Sequence, residues 1–292
     1  MPYVKVQDGS QLFYEEAGQG KPLVLIHGWP LSTRMWEYQM TELAGKGIRC
    51  IAYDRRGFGR SDHPPGGYDY DTLADDLKAV MDKLDLQDVT LAGFSMGGGE
   101  VARYMSRHQG ARVAKAVLIS AVTPYLLKTT ENVSGVDSTV FEKMMLDLSV
   151  DRPQFLTEFS KQFFGVGMLS SPVSESMLAA ACEDAMRASP LATLACVKAF
   201  SETDFRNDLK SINVPALIIH GDDDKTVPIE SSGQETARIL PHAQFEIYAG
   251  APHGLFYTDK DRLNGDLAEF VRKPAAATGS TDLGQERKAR RG

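Results

Sequence analysis

Residues 89–97 read VTLAGFSMG. Six residues of strand-forming character run into a Gly-x-Ser-x-Gly segment. The fold turns on whether Ser95 is a nucleophile on a strand-to-helix elbow or the cap of a glycine-rich turn. With Gly and Ser each at about 7% of an average chain, the pattern arises by chance on the order of 0.1 times in a sequence of this length. Its surroundings therefore carry the weight. A serine hydroxyl is a weak nucleophile and needs an exposed perch beside a base. A sharp turn from strand to helix supplies the perch, and it crowds the chain so that the positions two before and two after the serine must be small. Here they are Gly93 and Gly97. The strand VTLAGF precedes Ser95, and GGGEVARYMSRH, small residues and then helix formers, follows Met96. A helix starting there adds free N–H groups and positive potential.

Working outward, PLVLIHG (22–28), IRCIAY (48–53), VAKAVLIS (113–120) and VPALIIHG (214–221) are short apolar runs rich in branched residues. Such runs read as strands buried on both faces of a parallel sheet. QLFYEE (11–16) reads as an edge strand, and QFEIYAG (244–250) as a further strand. Between them lie helical patterns: Met35, Trp36, Met40 and Leu43 at helix spacing, then Leu73, Leu77, Val80 and Leu84 on one helix face. Further helices are expected over about 230–239 and 260–272. This alternation predicts an α/β fold with a doubly wound, mostly parallel sheet.

The rhythm breaks over 121–211, where FEKMMLDL, FLTEFSKQFFGVGML, MLAAACEDAM and LATLACVKAF predict several helices and no buried strand. The expected organisation is a core of 1–120 and 212–273, a helical insertion of 121–211, and a tail of 274–292. The tail, PAAATGSTDLGQERKARRG, has no periodicity and a basic end. It reads as a disordered extension of the kind an expression vector adds.

Composition narrows the function. The chain has 292 residues, 42% hydrophobic and 24% charged, as in globular proteins with a sizeable core. A net charge of −7 argues against nucleic acid, whose phosphates need a basic surface. No apolar run of membrane-spanning length occurs, and MPYVKVQDGS has no signal-peptide core. Three cysteines, Cys50, Cys182 and Cys196, without a C-x-x-C pair, read as buried thiols of a reducing cytoplasm and argue against a zinc or disulfide framework.

A serine nucleophile needs a histidine. There are six, and in a parallel sheet the site lies at the carboxyl ends of the strands. His242 precedes its strand, His108 is late in a helix and His63 is in a Pro-Gly loop. His27, His220 and His253 each follow a strand. In serine hydrolases built on such an elbow the chain order is nucleophile, acid, base. Only His253, in APHGLF, leaves room for an acid after Ser95. His27 and His220 read as structural hydrogen-bonding residues. The acid is expected in GDDDK (221–225), after the strand LIIH, and the spacing does not choose among Asp222, Asp223 and Asp224. Its role is to hold the imidazole tautomer and stabilise the imidazolium. An oxyanion would be met by the backbone N–H of Met96 and by one from the loop after PLVLIHG. Pro30 has no N–H, which leaves Trp29, and the Trp29–Pro30 bond is a candidate cis peptide.

HGWPLS (27–32), YDRRGFGRSD (53–62), GYDYDTLADDL (67–77), GFSMGGGEVARY (93–104), KAFSETDF (198–205) and APHG (251–254) occur in order. Together they make the chain resemble the cofactor-free, non-haem bacterial haloperoxidases and perhydrolase-like arylesterases of the α/β-hydrolase fold. The resemblance runs over residues 4–271 and is weakest over 129–192. It implies Ser95 as nucleophile, His253 as base, Asp224 as acid, and the N–H groups of Trp29 and Met96 as the oxyanion hole. It also implies an acyl pocket of Trp29, Phe94, Met96, Phe159, Phe163, Phe200 and Val227, with the inserted helices as a cap that excludes water. The activity it implies is hydrolysis of small carboxylic esters through an acyl-enzyme, with hydrogen peroxide able to replace water. The partner is then a small ester or carboxylic acid. No haem, metal or other cofactor is implied, and a homo-oligomer is.

Two rivals share these residues. An amidase or lactamase would use the same three side chains on a different carbonyl. A small-ligand-binding protein on the same fold would hold its ligand under the helical insertion without turnover, because fold alone does not fix function. Haloalkane dehalogenases and epoxide hydrolases need an aspartate where Ser95 sits.

Overall fold

The structure, a computed structural model, describes residues 2–168 and 170–274. Eight strands form one sheet: β1 (Tyr3–Lys5), β2 (Gln11–Ala17), β3 (Lys21–Ile26), β4 (Ile48–Tyr53), β5 (Val89–Phe94), β6 (Val113–Ile119), β7 (Ala216–Gly221) and β8 (Gln244–Tyr248). Their order is β1-β2-β4-β3-β5-β6-β7-β8. Strand β2 pairs antiparallel with both β1 and β4, and the remaining pairs are parallel.

All six residues of β5 are buried, as are all six of β7, because helices cover both faces. Side chains alternate across a strand, and the core accordingly divides in two. Val24, Ile26, Ile51, Leu91 and Leu118 point to one side; Leu23, Leu25, Cys50, Ala92 and Val117 point to the other. On the first side pack α2 (Tyr70–Lys83) and α3 (Met96–Arg107), through Leu73, Leu77, Val101 and Met105. On the second pack α1 (Glu37–Gly45) and α11 (Lys260–Arg272), through Met40, Leu43, Leu263 and Leu267. Each such aliphatic side chain contributes about 1.5–3 kcal/mol of burial free energy.

Between β6 and β7 lie α4 (Ser138–Val150), α5 (Arg152–Phe163), α6 (Glu175–Met186), α7 (Pro190–Glu202) and the short α8 (Arg206–Leu209). The first four begin on side-chain caps, Asp137, Asp151, Ser174 and Ser189, each accepting a backbone N–H of the first turn. After β7 come α9 (Gly233–Ile239), then β8, the single turn α10 (Leu255–Thr258) and α11. Among the described residues of 121–211 there is no strand, only isolated bridges such as Leu127–Val136.

QLFYEE is not at the edge. The three residues of β1 pair outside it, Val4 opposite Leu12, so β2 is an inner strand. From residue 275 the tail lies outside the described residues. Cys50, Cys182 and Cys196 are free thiols; Cys50 and Cys196 are buried as expected, but Cys182, on α6, is only partly so. Burial pushes Cys50 and Cys196 up to about 12, so neither is a thiolate at neutral pH. Among the described residues no helix is long and apolar enough to cross a membrane.

Candidate active site

Ser95 sits between the last residue of β5 and the first of α3, with φ 54° and ψ −118°. A non-glycine residue in that region is strained and persists only where its surroundings impose it. The glycines around it explain how. A Cβ on Gly93 would lie 2.2 Å from the Gly97 carbonyl oxygen, and one on Gly97 would lie 2.5 Å from that of Ile26. Both neighbours are backbone and cannot move aside. Gly97→Ala is therefore expected to cost about 3 kcal/mol or more by overpacking. Gly45→Ala, which meets nothing within 4 Å, should be neutral or mildly stabilising. Urea midpoints of the two variants check this, and equal midpoints would contradict it.

His253 follows β8, and its loop is tied to the loop after β7. Asp223 N–H donates to the Ala251 carbonyl (3.2 Å), and Gly250 N–H donates to Asp222 Oδ1 (2.6 Å). This stitching brings the distant side chains together. The Ser95 hydroxyl donates to His253 Nε2 at 3.0 Å, and His253 Nδ1–H donates to Asp224 Oδ2 at 2.6 Å. Asp224 Oδ1 accepts the N–H groups of Thr226 (2.9 Å) and Val227 (2.8 Å). Burial opposes the Asp224 charge, but the charge of His253 and hydrogen bonds from His220 and His253 outweigh it, and its pKa lies below the usual carboxylate range. Of the three adjacent aspartates, then, Asp224 meets the imidazole. Asp222 braces the next loop, and Asp223 pairs with Lys225 at 2.7 Å.

The loop after β3 passes over Ser95, since a Cβ on Gly28 would stand 3.1 Å from Ser95 Cβ. Among the described residues, the backbone N–H groups of Trp29 and Met96 donate to no protein acceptor. The Trp29–Pro30 peptide is cis. His27 is fully buried beneath this loop. Its Nδ1–H donates to the Gly28 carbonyl (2.9 Å), and its Nε2 accepts Arg55 N–H (2.9 Å). Burial and then the Arg55 charge hold His27 well below its usual pKa, so it is neutral. Arg55 is in turn paired with buried Glu100 at 2.9 Å.

Ser95 and His253 open into a cavity of about 440 Å³. Trp29, Phe159, Phe200 and Val227 line it, and Phe94, Met96 and Phe163 do not. Phe94 and Phe163 instead pack on adjacent sides of the His253 ring, at centroid distances of 4.9 and 4.8 Å, and against each other at 6.0 Å. The Met96 side chain is fully buried in the core on the α3 side of the sheet, leaving only its backbone near the site. The missing walls are Val122 and Leu126, after β6, with Phe141, Met144 and Phe155 from α4 and α5. Helix spacing in FEKMMLDL shows that one face is apolar, but not which face meets the cavity. Trp29 is fixed by its indole N–H to the Thr193 carbonyl (3.0 Å) and by an edge contact to Phe159 at 5.3 Å. Lys143, Asp147 and Lys225 also border the cavity, and all three are partly exposed. A wider cleft of about 1200 Å³ opens elsewhere, at Asp8, His63 and Lys78, and holds none of Ser95, Asp224 and His253.

A hydroxyl, an imidazole and an ionised carboxylate in relay can deprotonate the hydroxyl and pass its proton to a leaving group. An apolar chamber above them suits a small acyl group.

Known proteins carry the same arrangement of chain. A family model described as the alpha/beta hydrolase fold matches residues 21–260. A non-heme chloroperoxidase of Kitasatospora aureofaciens is 42% identical over 94% of this chain and 100% of its own. A bifunctional esterase/perhydrolase of Acinetobacter calcoaceticus is 40% identical over 93% of this chain and all of its own. The crystal structure of a bromoperoxidase from Bacillus anthracis superposes with a TM-score of 0.90, at 47% identity, over 93% of this chain and 99% of that one. With a strained Ser95 on a β5–α3 elbow and similarity over nearly the whole described length, the chain belongs to the α/β-hydrolase fold family, among its non-haem haloperoxidases and perhydrolase-type esterases.

Proposed function

We propose that the protein is a serine hydrolase that cleaves small carboxylic esters through an acyl-enzyme, and that hydrogen peroxide can replace water in the second half-reaction. Ser95 Oγ attacks the ester carbonyl as His253 Nε2 takes its proton, and Asp224 stabilises the imidazolium. The oxyanion is received by the N–H groups of Trp29 and Met96. The alcohol leaves with the proton from His253. Water or peroxide then gives a proton to His253, attacks the acyl carbon and releases Ser95, yielding the acid or the peracid. A released peracid can oxidise halide in solution. The observation that supports this most is the 3.0 Å contact of Ser95 with His253 at an apolar cavity. The peroxide branch draws on relatives named as chloroperoxidase and esterase/perhydrolase. Residues 121–211 serve as the cap, the location is cytoplasmic, and the chain assembles as a homo-oligomer.

A fluorophosphonate label mapped by mass spectrometry should fall on Ser95. A panel of small esters, with and without peroxide, should show steady turnover of p-nitrophenyl acetate. Release that stops at one equivalent or less would instead make the protein a binder.

A further inference from the structure

His220, near the end of β7, is fully buried and takes no part in the proton transfer. Its Nε2–H donates to the Val227 carbonyl at 2.9 Å and stands 3.4 Å from Asp224 Oδ2, the oxygen that also meets His253. Among the described residues its Nδ1 has no partner. It faces Gly233, where a Cβ would come within 2.8 Å. A leucine could fill this place without an unpaired nitrogen, and a buried polar atom without a partner costs at least what one hydrogen bond gains. Stability alone does not account for an imidazole here; the position of its bond to Val227, beside Asp224, does.

Val227 is held at both ends. Its N–H donates to Asp224 Oδ1 at 2.8 Å, its carbonyl accepts from His220, and its side chain is a wall of the cavity. We propose that His220 is a positioning residue: by gripping the Val227 carbonyl it keeps the Asp224 carboxylate aimed at His253 and the cavity wall in register. The inference rests on the triad proposed above. Around His253 the only charged neighbour within hydrogen-bond reach among the described residues is Asp224; Ser95, Phe94 and Phe163 supply the other contacts. Around Asp224 stand His253 and His220, while Lys225 pairs with Asp223.

The test compares His220→Leu, His220→Asn and His220→Gln, using p-nitrophenyl acetate and enzyme titrated with fluorophosphonate. The Gln amide extends to where Nε2 lies and reaches the Val227 carbonyl, whereas the Asn amide stops short. With the grip lost, Asp224 drifts and supports the imidazolium less. The acid limb of kcat/KM then moves down. Leu and Asn should lower kcat by on the order of 10–100-fold and move the acid limb down by about half a pH unit or more. Gln should stay close to the parent in both. If the Leu variant does not fold, the Asn–Gln contrast decides. A folded Asn variant with the parent's kcat and acid limb overturns the inference. So does a Gln variant as impaired as Asn, or an acid limb that moves up, which would make His220 only a competing donor. Failure of the triad is distinct: it would appear in the parent itself, as no label on Ser95.

Discussion

Ser95→Ala should lower kcat for p-nitrophenyl acetate by about 10⁴–10⁶-fold and leave the fold intact. The size follows from what is lost. Without Oγ there is no acyl-enzyme, and His253 and the oxyanion donors can only assist direct attack by water. The fold survives because alanine keeps the Cβ, so the backbone at φ 54° is neither relieved nor strained further. A variant retaining more than a tenth of the activity would remove Ser95 from the mechanism. The same strain gives a second readout. Ser95→Gly loses the hydroxyl equally but relieves the φ penalty, and should be more stable than Ser95→Ala by about 1 kcal/mol. Should Gly prove the less stable of the two, the elbow is not held under strain.

Much of this was legible because each element carries its own signal. IRCIAY and VTLAGF coincide with β4 and β5 residue for residue, since a strand buried on both faces is a near-continuous apolar run, broken here only by Arg49 and Thr90. Gly93 and Gly97 were readable because crowding leaves no other residue type possible. What escaped was set by tertiary contact. The three residues of β1 are too few to show a period, so QLFYEE looked like an edge. The short α10 starts directly after the His253 loop and has no cap side chain to announce it. Among Asp222, Asp223 and Asp224 the spacing is silent, because a one-residue step in a loop redirects a side chain without changing composition. Phe94 and Phe163 carry the same apolar signal as Phe159 and Phe200. Whether a ring faces the chamber or grips the base is decided by the packing of α5 against the β8–α10 loop, where Gly254 N–H donates to the Phe163 carbonyl at 2.7 Å. No local pattern encodes that.

Asp224→Asn should lower kcat by about 10⁴-fold, whereas Asp222→Asn and Asp223→Asn should cost no more than a few-fold. An amide at 224 can turn its NH2 toward Nδ1 of His253, which then accepts rather than donates. The proton moves to Nε2, and the base no longer has a lone pair for the Ser95 hydroxyl. Asn also removes the charge that stabilises the imidazolium. Among the described residues Asp222 accepts only the Gly250 N–H, and Asp223 is partnered by Lys225, so neither change reaches the imidazole. Equal losses at all three positions would mean that the loop matters only as a scaffold. The pH profile separates acid from base. The folded-state pKa of Asp224 is depressed, so its stabilising contribution is present above the unfolded carboxylate value and is lost only as pH falls through the lower folded one. Asp224 therefore stays ionised over the working range, and the acid limb of kcat/KM does not belong to it. Residual activity in Asp224→Asn should rise with pH toward the alkaline side, where hydroxide can stand in for the missing base. A flat residual profile would place the loss in the geometry of the loop.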